Sequence, residues 1–113
     1  MSGISTHVLD LTKGKPASGI TVTLEQENAG TWSTLYTATT DSDGRCKQLL
    51  PSERTLQSGT YRIIFDTGTY FRTINVIGLY PFVVITFAVH NADEHHHIPL
   101  LLTANGYSTY RGS

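Results

Sequence analysis

The sequence predicts an all-β sandwich of seven or eight short strands with at most one short helix. Apolar and polar residues alternate with a period of two in several segments, which is the pattern of half-buried strands. Turn-forming dipeptides separate these segments, and Ala-rich or Leu-rich runs with helical spacing are absent. These observations together favour two packed sheets over a helical or mixed fold.

The length of the chain predicts a single domain over residues 1–113. A chain of this length buries roughly 60–70% of its unfolded surface in one core. Charged residues make up 15% of the chain and its net charge is −1, so no nucleic-acid or anionic-membrane partner is expected.

The single cysteine, Cys46, leaves no internal disulfide framework and suits a reducing compartment. The first residues, MSGISTHVLD, show neither a basic region nor an apolar run, so no secretory signal is expected. No apolar run approaches the ~18 residues of a membrane span. We therefore expect a cytoplasmic protein, or a peroxisomal one if the source is a eukaryote.

The first strands are predicted from THVLDL, GITVTLEQE and WSTLYTATT. In GITVTLEQE the aliphatic residues share one face and the threonines share the other. WSTLYTATT (residues 32–40) is rich in β-branched and aromatic residues. It is followed by DSDG, whose Asp43-Gly44 dipeptide predicts a tight turn.

The later strands are predicted from TYRIIFD, FVVITFAV, HIPLLLTA and GYSTYRG. The Asn105-Gly106 dipeptide predicts a hairpin between the last two. FVVITFAV (residues 82–89) is apolar on both faces, so one face can fill the core while the other meets a partner subunit. Between residues 68 and 76 the alternation breaks, which indicates one helical turn or an irregular link.

Four segments carry a resemblance to a known family. GKPASGITVTL…TTDSDGR resembles the opening of transthyretin-type (prealbumin-like) sandwiches, including non-enzymatic ones. STHVLD, DGR and EHHHIPLLLTANGYSTYRGS are more specific and resemble the transthyretin-related 5-hydroxyisourate hydrolase family of urate breakdown. The resemblance covers essentially the whole chain, and its most diagnostic element is the final Tyr-Arg-Gly-Ser. Hormone-carrying transthyretins differ there and at the histidines.

This resemblance implies a transthyretin-like sandwich that hydrolyses 5-hydroxyisourate. The family reaction cleaves the N1–C6 amide of the six-membered ring and gives 2-oxo-4-hydroxy-4-carboxy-5-ureidoimidazoline. The resemblance also implies a homotetramer, built as a dimer of dimers, with sites in a central channel at the interface. No cofactor and no metal are expected.

Histidines are the first candidate site residues. In HHHIPLLL, strand alternation places His95 and His97 on one face and His96 on the other. From spacing alone, His97 and His7 are better interpreted as structural or exposed imidazoles, but the resemblance makes both of them active-site residues. His95 and His96 are expected to be solvated at the strand entrance, although the position of His96 is usually aromatic in the family.

The remaining candidates lie after the DSDG turn and at the end of the sequence. From sequence alone, Arg45 is an ordinary exposed residue and Tyr110 belongs to a last strand. The resemblance instead makes Arg45, Tyr110, Arg111 and Ser113 substrate-binding residues. The guanidinium of Arg45 would suit the oxygens of a purine-derived ring. Gly112 would allow a close backbone approach or an unusual bend.

A chemical role follows for these groups. His7 and His97 would position and deprotonate the attacking water, and one imidazolium would then protonate the leaving nitrogen. Arg45 would hold the substrate and stabilise the oxyanion. Which histidine is the base stays open at this point. No Gly-x-Ser-x-Gly elbow or other nucleophile motif is present, which fits direct attack by water.

Two alternatives remain beside the metal-free hydrolase. In the first, His7, His95 and His97 bind a zinc ion that activates water. In the second, the protein is a transthyretin-like carrier of small molecules with no chemistry. A carrier would be expected to have small or apolar residues at positions 110 and 111, where this sequence has Tyr110 and Arg111.

Overall fold

The computed structural model describes residues 2–113 and confirms the sandwich. One sheet contains β1 (Gly3–Asp10), β2 (Lys15–Pro16), β5 (Arg45–Cys46), β8 (His95–Leu102) and β9 (Tyr107–Thr109). The other contains β3 (Thr21–Asn28), β4 (Thr31–Thr39), β6 (Gly59–Phe65) and β7 (Val83–Val89). We call them sheet A and sheet B.

Sheet A has the order β2-β1-β8-β9, and β5 adds a short antiparallel pairing to β1. β1 and β8 run parallel, whereas the other pairs in this sheet are antiparallel. Sheet B is fully antiparallel in the order β4-β3-β6-β7. The parallel pairing brings the first and the eighth strands side by side, and no local sequence signal predicts it.

The core lies between the inner faces of the two sheets. The predicted alternation is confirmed at β6, where Tyr61, Ile63 and Phe65 are all buried. Burying such side chains is the main source of stability in a sandwich. Further fully buried core residues are Ile4, Val8, Val22, Leu24, Val83 and Leu100.

A helix, α1 (Thr67–Thr73), occupies the segment where the alternation breaks. The carboxylate of Asp66 caps it by accepting a hydrogen bond from the backbone N–H of Thr69 at 3.1 Å. The hydroxyl of Tyr70 donates to the buried carboxylate of Asp10 at 2.7 Å. This bond ties the helix to the end of β1, so the segment is a packed helix of seven residues rather than an irregular link.

Two predicted turns differ in detail from the expectation. The β8–β9 hairpin forms, but its loop spans residues 103–106, with the N–H of Thr103 donating to the carbonyl of Gly106 at 2.9 Å. The two-residue strands β2 and β5 are too short to show a period in the sequence. No helix among residues 2–113 has the length and apolar character to cross a membrane.

Candidate active site

The candidate site lies on the outer face of sheet A, where β1 and β8 run side by side. The parallel register places Ser5 opposite His97 and Gly3 opposite His95. Because alternate residues of a strand share a face, His7, Ser5, His95 and His97 all lie on the outer face. The predicted separation of His95 and His97 from His96 is confirmed by the burial of His96 on the other face.

A serine hydroxyl links the two outer histidines. Ser5 Oγ lies 2.7 Å from Nε2 of His95 and 2.8 Å from Nδ1 of His97. Gly3 leaves room for the first ring, since a Cβ at that position would lie 3.2 Å from Nδ1 of His95. Sequence reasoning missed Ser5. It shares a face with His7, but its contact with the histidines depends on the parallel pairing.

Arg45 reaches the same face from β5, directly after the DSDG turn. The carboxylate of Asp41 accepts hydrogen bonds from the backbone N–H groups of Asp43 at 2.8 Å and Arg45 at 3.0 Å. These bonds hold the pKa of Asp41 below its ordinary value. The hydrogen bond from the backbone N–H of Arg45 is the largest cause. Gly44 has a φ of +74°, and a Cβ there would collide with the carbonyl oxygen of Val8. The Asp-Gly-Arg element is thus a fixed turn.

Pairing of β5 with β1 places Arg45 opposite His7. A depression of ≈ 490 Å³ opens beside them, lined by Ser5, Thr6, Arg45, Lys47, His97 and Ser113. Three predicted residues, Arg45, His97 and Ser113, therefore meet at one depression, and Lys47 adds a cation that sequence reasoning missed. His7 is half-buried next to Arg45, but its side chain does not line the depression.

The environment of His97 favours a neutral imidazole. Burial lowers its pKa below the ordinary value of 6.5, and the positive charges of Arg45, His7 and His95 lower it further. A neutral ring near pH 7 has a free lone pair and can accept a proton. His97 therefore presents a half-buried imidazole with a lowered pKa at the depression.

The final residues pass directly over His97. The N–H of Gly112 donates to the carbonyl of His97 at 2.8 Å, and the two residues form an antiparallel bridge. A Cβ at Gly112 would lie 2.5 Å from Cδ2 of the His97 ring and 3.1 Å from the Pro99 side chain. Only glycine fits without displacing the imidazole or the chain. This explains the glycine in the terminal Tyr-Arg-Gly-Ser and places Ser113 at the depression.

Tyr110 and Arg111 lie elsewhere in the protomer. They line a second depression of ≈ 280 Å³ between the β7 and β8 edges, together with Phe87 and His96. Arg111 forms an exposed ion pair with Glu94 at 3.2 Å and donates to the carbonyl of His95 at 3.3 Å. A single protomer does not bring these two residues to Arg45 and His97, so their contact with substrate stays a prediction.

The prediction that His96 is solvated was wrong. Its side chain is only 4% exposed and faces the interior of the sandwich. Its Nδ1 lies 3.0 Å from the carbonyl of Glu94, and burial is the main cause of its lowered pKa. Strand alternation places the residue inside, and an imidazole can fill a site that is usually aromatic in the family. His95 is exposed as expected, but its ring is hydrogen bonded to Ser5.

Two more features of the structure bear on the chemistry of the site: the thiol of Cys46 and the arrangement of the histidines in the zinc alternative. Cys46 is buried, and this burial raises the pKa of its thiol to about 11, so it is not an activated nucleophile. Within residues 2–113, no three His, Cys, Asp or Glu side chains are arranged to hold a metal ion. His95 and His97 instead direct one ring nitrogen each to the same hydroxyl.

Comparisons with known proteins agree with this fold. A model of the HIUase/Transthyretin family matches residues 4–112. The 5-hydroxyisourate hydrolase of Salmonella typhimurium is 46% identical over 110 residues, which cover 97% of this chain and 80% of that protein. The corresponding protein of Caulobacter vibrioides is 43% identical over 117 residues, with full coverage of both chains.

Solved structures give the same result. The structure of Klebsiella pneumoniae 5-hydroxyisourate hydrolase superposes with a TM-score of 0.87 at 35% identity and covers 100% of both chains. Sea bream transthyretin in complex with thyroxine superposes with a TM-score of 0.90 at 28% identity, covering 96% of this chain and 93% of that one. The chain belongs to the HIUase/Transthyretin family.

Proposed function

We propose that this protein hydrolyses the N1–C6 amide of 5-hydroxyisourate, as the names of its relatives indicate for them. The product is 2-oxo-4-hydroxy-4-carboxy-5-ureidoimidazoline, formed in urate degradation. The observation that carries the proposal is that a neutral base, His97, and the guanidinium of Arg45, which has no carboxylate partner among residues 2–113, meet at one polar depression. A base and a cation beside the same reacting carbonyl are what hydrolysis by water requires.

The positions of the groups support the following proton transfers. Nδ1 of His97 is hydrogen bonded to Ser5, so Nε2 is the ring nitrogen left to accept a proton from water. The water oxygen then bonds to C6, and the carbonyl oxygen becomes an oxyanion that Arg45 stabilises. Collapse of the tetrahedral intermediate breaks the N1–C6 bond as N1 receives the proton that Nε2 of His97 took from water. The new carboxylic acid ionises at neutral pH.

Of the two histidines, we assign the base to His97 and a supporting role to His7. His97 lines the depression, whereas His7 does not. The register places His7 beside Arg45, where its imidazole can orient water or substrate. Lys47 and Arg45 together give the depression a positive field, which suits the anionic oxygens of the substrate and product.

A homotetramer is part of this proposal. Large apolar side chains are exposed near the β7 and β9 edges. Among them, the side chain of Ile77 is 95% exposed and that of Phe82 is 56% exposed. Further exposed members of this set are Leu79, Val84, Tyr107 and Tyr110. A surface of this kind is expected to be covered by a second copy of the chain. A closed assembly would also give Tyr110 and Arg111 a route to a neighbouring site.

The experiment is a direct assay of hydrolysis. 5-Hydroxyisourate is generated in situ by oxidation of urate, and the loss of its near-ultraviolet absorbance is followed with and without catalytic amounts of the protein. We expect the decay to be faster with protein present. A folded tetramer, verified by size-exclusion chromatography, that leaves the spontaneous rate unchanged would contradict the hydrolase and favour the carrier.

Removal of metal ions distinguishes metal-free hydrolysis from zinc-assisted hydrolysis. Dialysis against a strong chelator should leave the rate intact if His97 alone activates the water. A rate that falls on dialysis and returns with added zinc would support the metal-assisted alternative instead.

A further inference from the structure

The hydroxyl of Ser5 sits between two imidazoles that differ in exposure. Ser5 is 6% exposed, and His97 is half-buried at the depression. His95, at the other end of the bridge, is exposed to solvent. A chain of hydrogen bonds of 2.8 and 2.7 Å therefore runs from Nδ1 of His97, through the hydroxyl of Ser5, to an imidazole at the surface of the protein.

A serine hydroxyl carries one proton, so it donates to one imidazole and accepts from the other. In the first arrangement, Nδ1–H of His97 donates to Ser5 and Ser5 donates to Nε2 of His95. Nε2 of His97 is then a bare lone pair. In the second arrangement the directions are reversed, and Nε2 of His97 carries a proton. The bridge thus couples the tautomers of the two histidines.

We propose that Ser5 and His95 form a proton relay that sets the tautomer of His97 and exchanges its proton with solvent during hydrolysis. The inference rests on the proposed function, because it assigns His97 the role of general base. Ser5 and His95 act through His97 and are positioning residues in this scheme. Neither is given a bond to substrate.

The steps balance in both directions. When Nε2 of His97 takes a proton from water, its Nδ1 proton passes to Ser5 Oγ and the Ser5 proton passes to Nε2 of His95. His95 then releases its Nδ1 proton to solvent. When Nε2 of His97 later protonates the leaving N1, the same three transfers run backwards and His95 recovers a proton from solvent. One imidazole can then serve as base and as acid.

The surroundings of His97 make such a relay useful. The titratable and charged side chains that face it are Arg45, Lys47, His7 and His95, and Ser113, the last residue of the sequence, lines the same depression. The four side chains are cationic or can become so, and within residues 2–113 no carboxylate is bonded to either ring nitrogen of His97. An imidazolium at His97 is therefore poorly stabilised, and moving the charge to exposed His95 relieves it.

The test uses Ser5→Ala, His95→Ala and the double variant, with Ser33→Ala as the matched control. Ser33 is an exposed strand serine of sheet B, so its loss should change nothing. For each single site variant we expect kcat to fall about 10–100-fold, as when a hydrogen-bond partner of a functional histidine is removed. KM should change little. The double variant should be no slower than the slower single variant, because both changes break one relay.

A second readout does not depend on substrate. NMR shifts of the ring nitrogens in histidine-labelled protein report which nitrogen of His97 carries the proton. We expect His97 to be protonated at Nδ1 in the parent protein and to move toward the Nε2–H tautomer in Ser5→Ala. The acid limb of the kcat–pH profile should also move to lower pH in Ser5→Ala. The reason is that the hydroxyl accepts a charge-assisted hydrogen bond from the imidazolium.

The possible outcomes distinguish the proton relay from the proposed hydrolase function. Unchanged tautomers in Ser5→Ala, or rate losses in the double variant that multiply, would overturn the relay even if hydrolysis is confirmed. Coupled tautomers in a protein with no hydrolase activity would instead leave the hydrogen-bonded bridge standing, overturn its role in catalysis and contradict the proposed function. His95→Ala keeps the test decisive if Ser5→Ala fails to fold, since His95 is exposed.

Discussion

The cationic residues on the outer faces of the two sheets differ in their ion pairing. On sheet B, the guanidinium of Arg62 lies 2.7 Å from the carboxylate of Glu25 and 4.1 Å from the centre of the Trp32 ring. On sheet A, neither Arg45 nor Lys47 has a carboxylate partner among residues 2–113, and both stand beside His97 at the depression.

This contrast distinguishes a cation that is paired within the protomer from one that we propose to act on substrate. The guanidinium of Arg62 is paired with Glu25 of the same protomer. It can therefore stabilise the sheet, but it is not available to bind a ligand. The backbone of Arg45 is fixed by Asp41, and its guanidinium has no carboxylate partner within the described residues 2–113. A rigid backbone with an uncommitted charged head is what binding an anionic group requires. The predictions below test whether this contrast has functional meaning.

The largest effect is expected from the histidines of sheet A. His97→Ala should lower kcat by about 10²–10⁴-fold, the usual contribution of a general acid–base group. His7→Ala should lower it as well, though less if its role is only to orient. The measurement is the steady-state rate of 5-hydroxyisourate decay. His90→Ala is the control, because His90 is an exposed histidine outside the site, and a loss as large as that of His97→Ala would contradict the assignment.

The comparison of arginines comes next. Arg45→Ala should reduce kcat/KM by about 10²–10³-fold, as expected for the loss of an oxyanion-stabilising donor. Arg62→Ala should leave kcat/KM unchanged and cost only about 0.2–1 kcal/mol of stability, because its ion pair is partly exposed. Both quantities follow from kinetics and urea unfolding of the same two variants. Equal losses of activity would remove the distinction between the two faces.

The sequence predicted the sandwich well because its signals are local. The alternation in β6 and the Asp43-Gly44 turn each depend on a few neighbouring residues. The burial of His96 was also implicit in the alternation of HHHIPLLL, and the expectation of a solvated residue went against that pattern. Histidine is polar enough to suggest exposure, but its ring fills an aromatic site when one nitrogen finds a carbonyl.

The site was predicted only in part, for a physical reason. His97, Arg45 and Ser113 were expected from the family resemblance, and the structure places them at one depression. Ser5 and Lys47 carry no motif of their own and gain meaning only from the pairing of β1 with β8 and β5. Tyr110 and Arg111 were expected at the same place, and one protomer does not bring them there.

A smaller effect is expected from Gly112→Ala. The added methyl group would lie 2.5 Å from the His97 ring, so the imidazole or the final residues must move. We expect about a tenfold loss of kcat, since displacing a catalytic group by a fraction of an ångström weakens its alignment. Gly106→Ala is the control, because a methyl group there meets nothing closer than 3.9 Å. Equal rates for the two variants would show that the close approach to His97 has no catalytic role.

The smallest expected effect is on the pH dependence of folding stability. It concerns His96 on the inner face of β8 and His97 on the outer face. Burial lowers the pKa of His96 in the folded protein, followed by the charge of Arg111, while Glu94 opposes the shift. The unfolded chain therefore binds more protons than the folded one as the pH falls below about 6.5. The stability contributed by neutral His96 is present above that pH and is lost on acidification.

His96→Phe should accordingly flatten the fall of the melting temperature between pH 7 and pH 5 by a few degrees. The phenyl ring has room, because the depression of ≈ 280 Å³ lies next to this position. The slope should not vanish, since His97 also has a lowered pKa and contributes with the same sign. His90→Gln should keep the parental slope, as His90 is exposed in the folded chain. A parental slope in His96→Phe would contradict a lowered pKa for His96 in the folded protein.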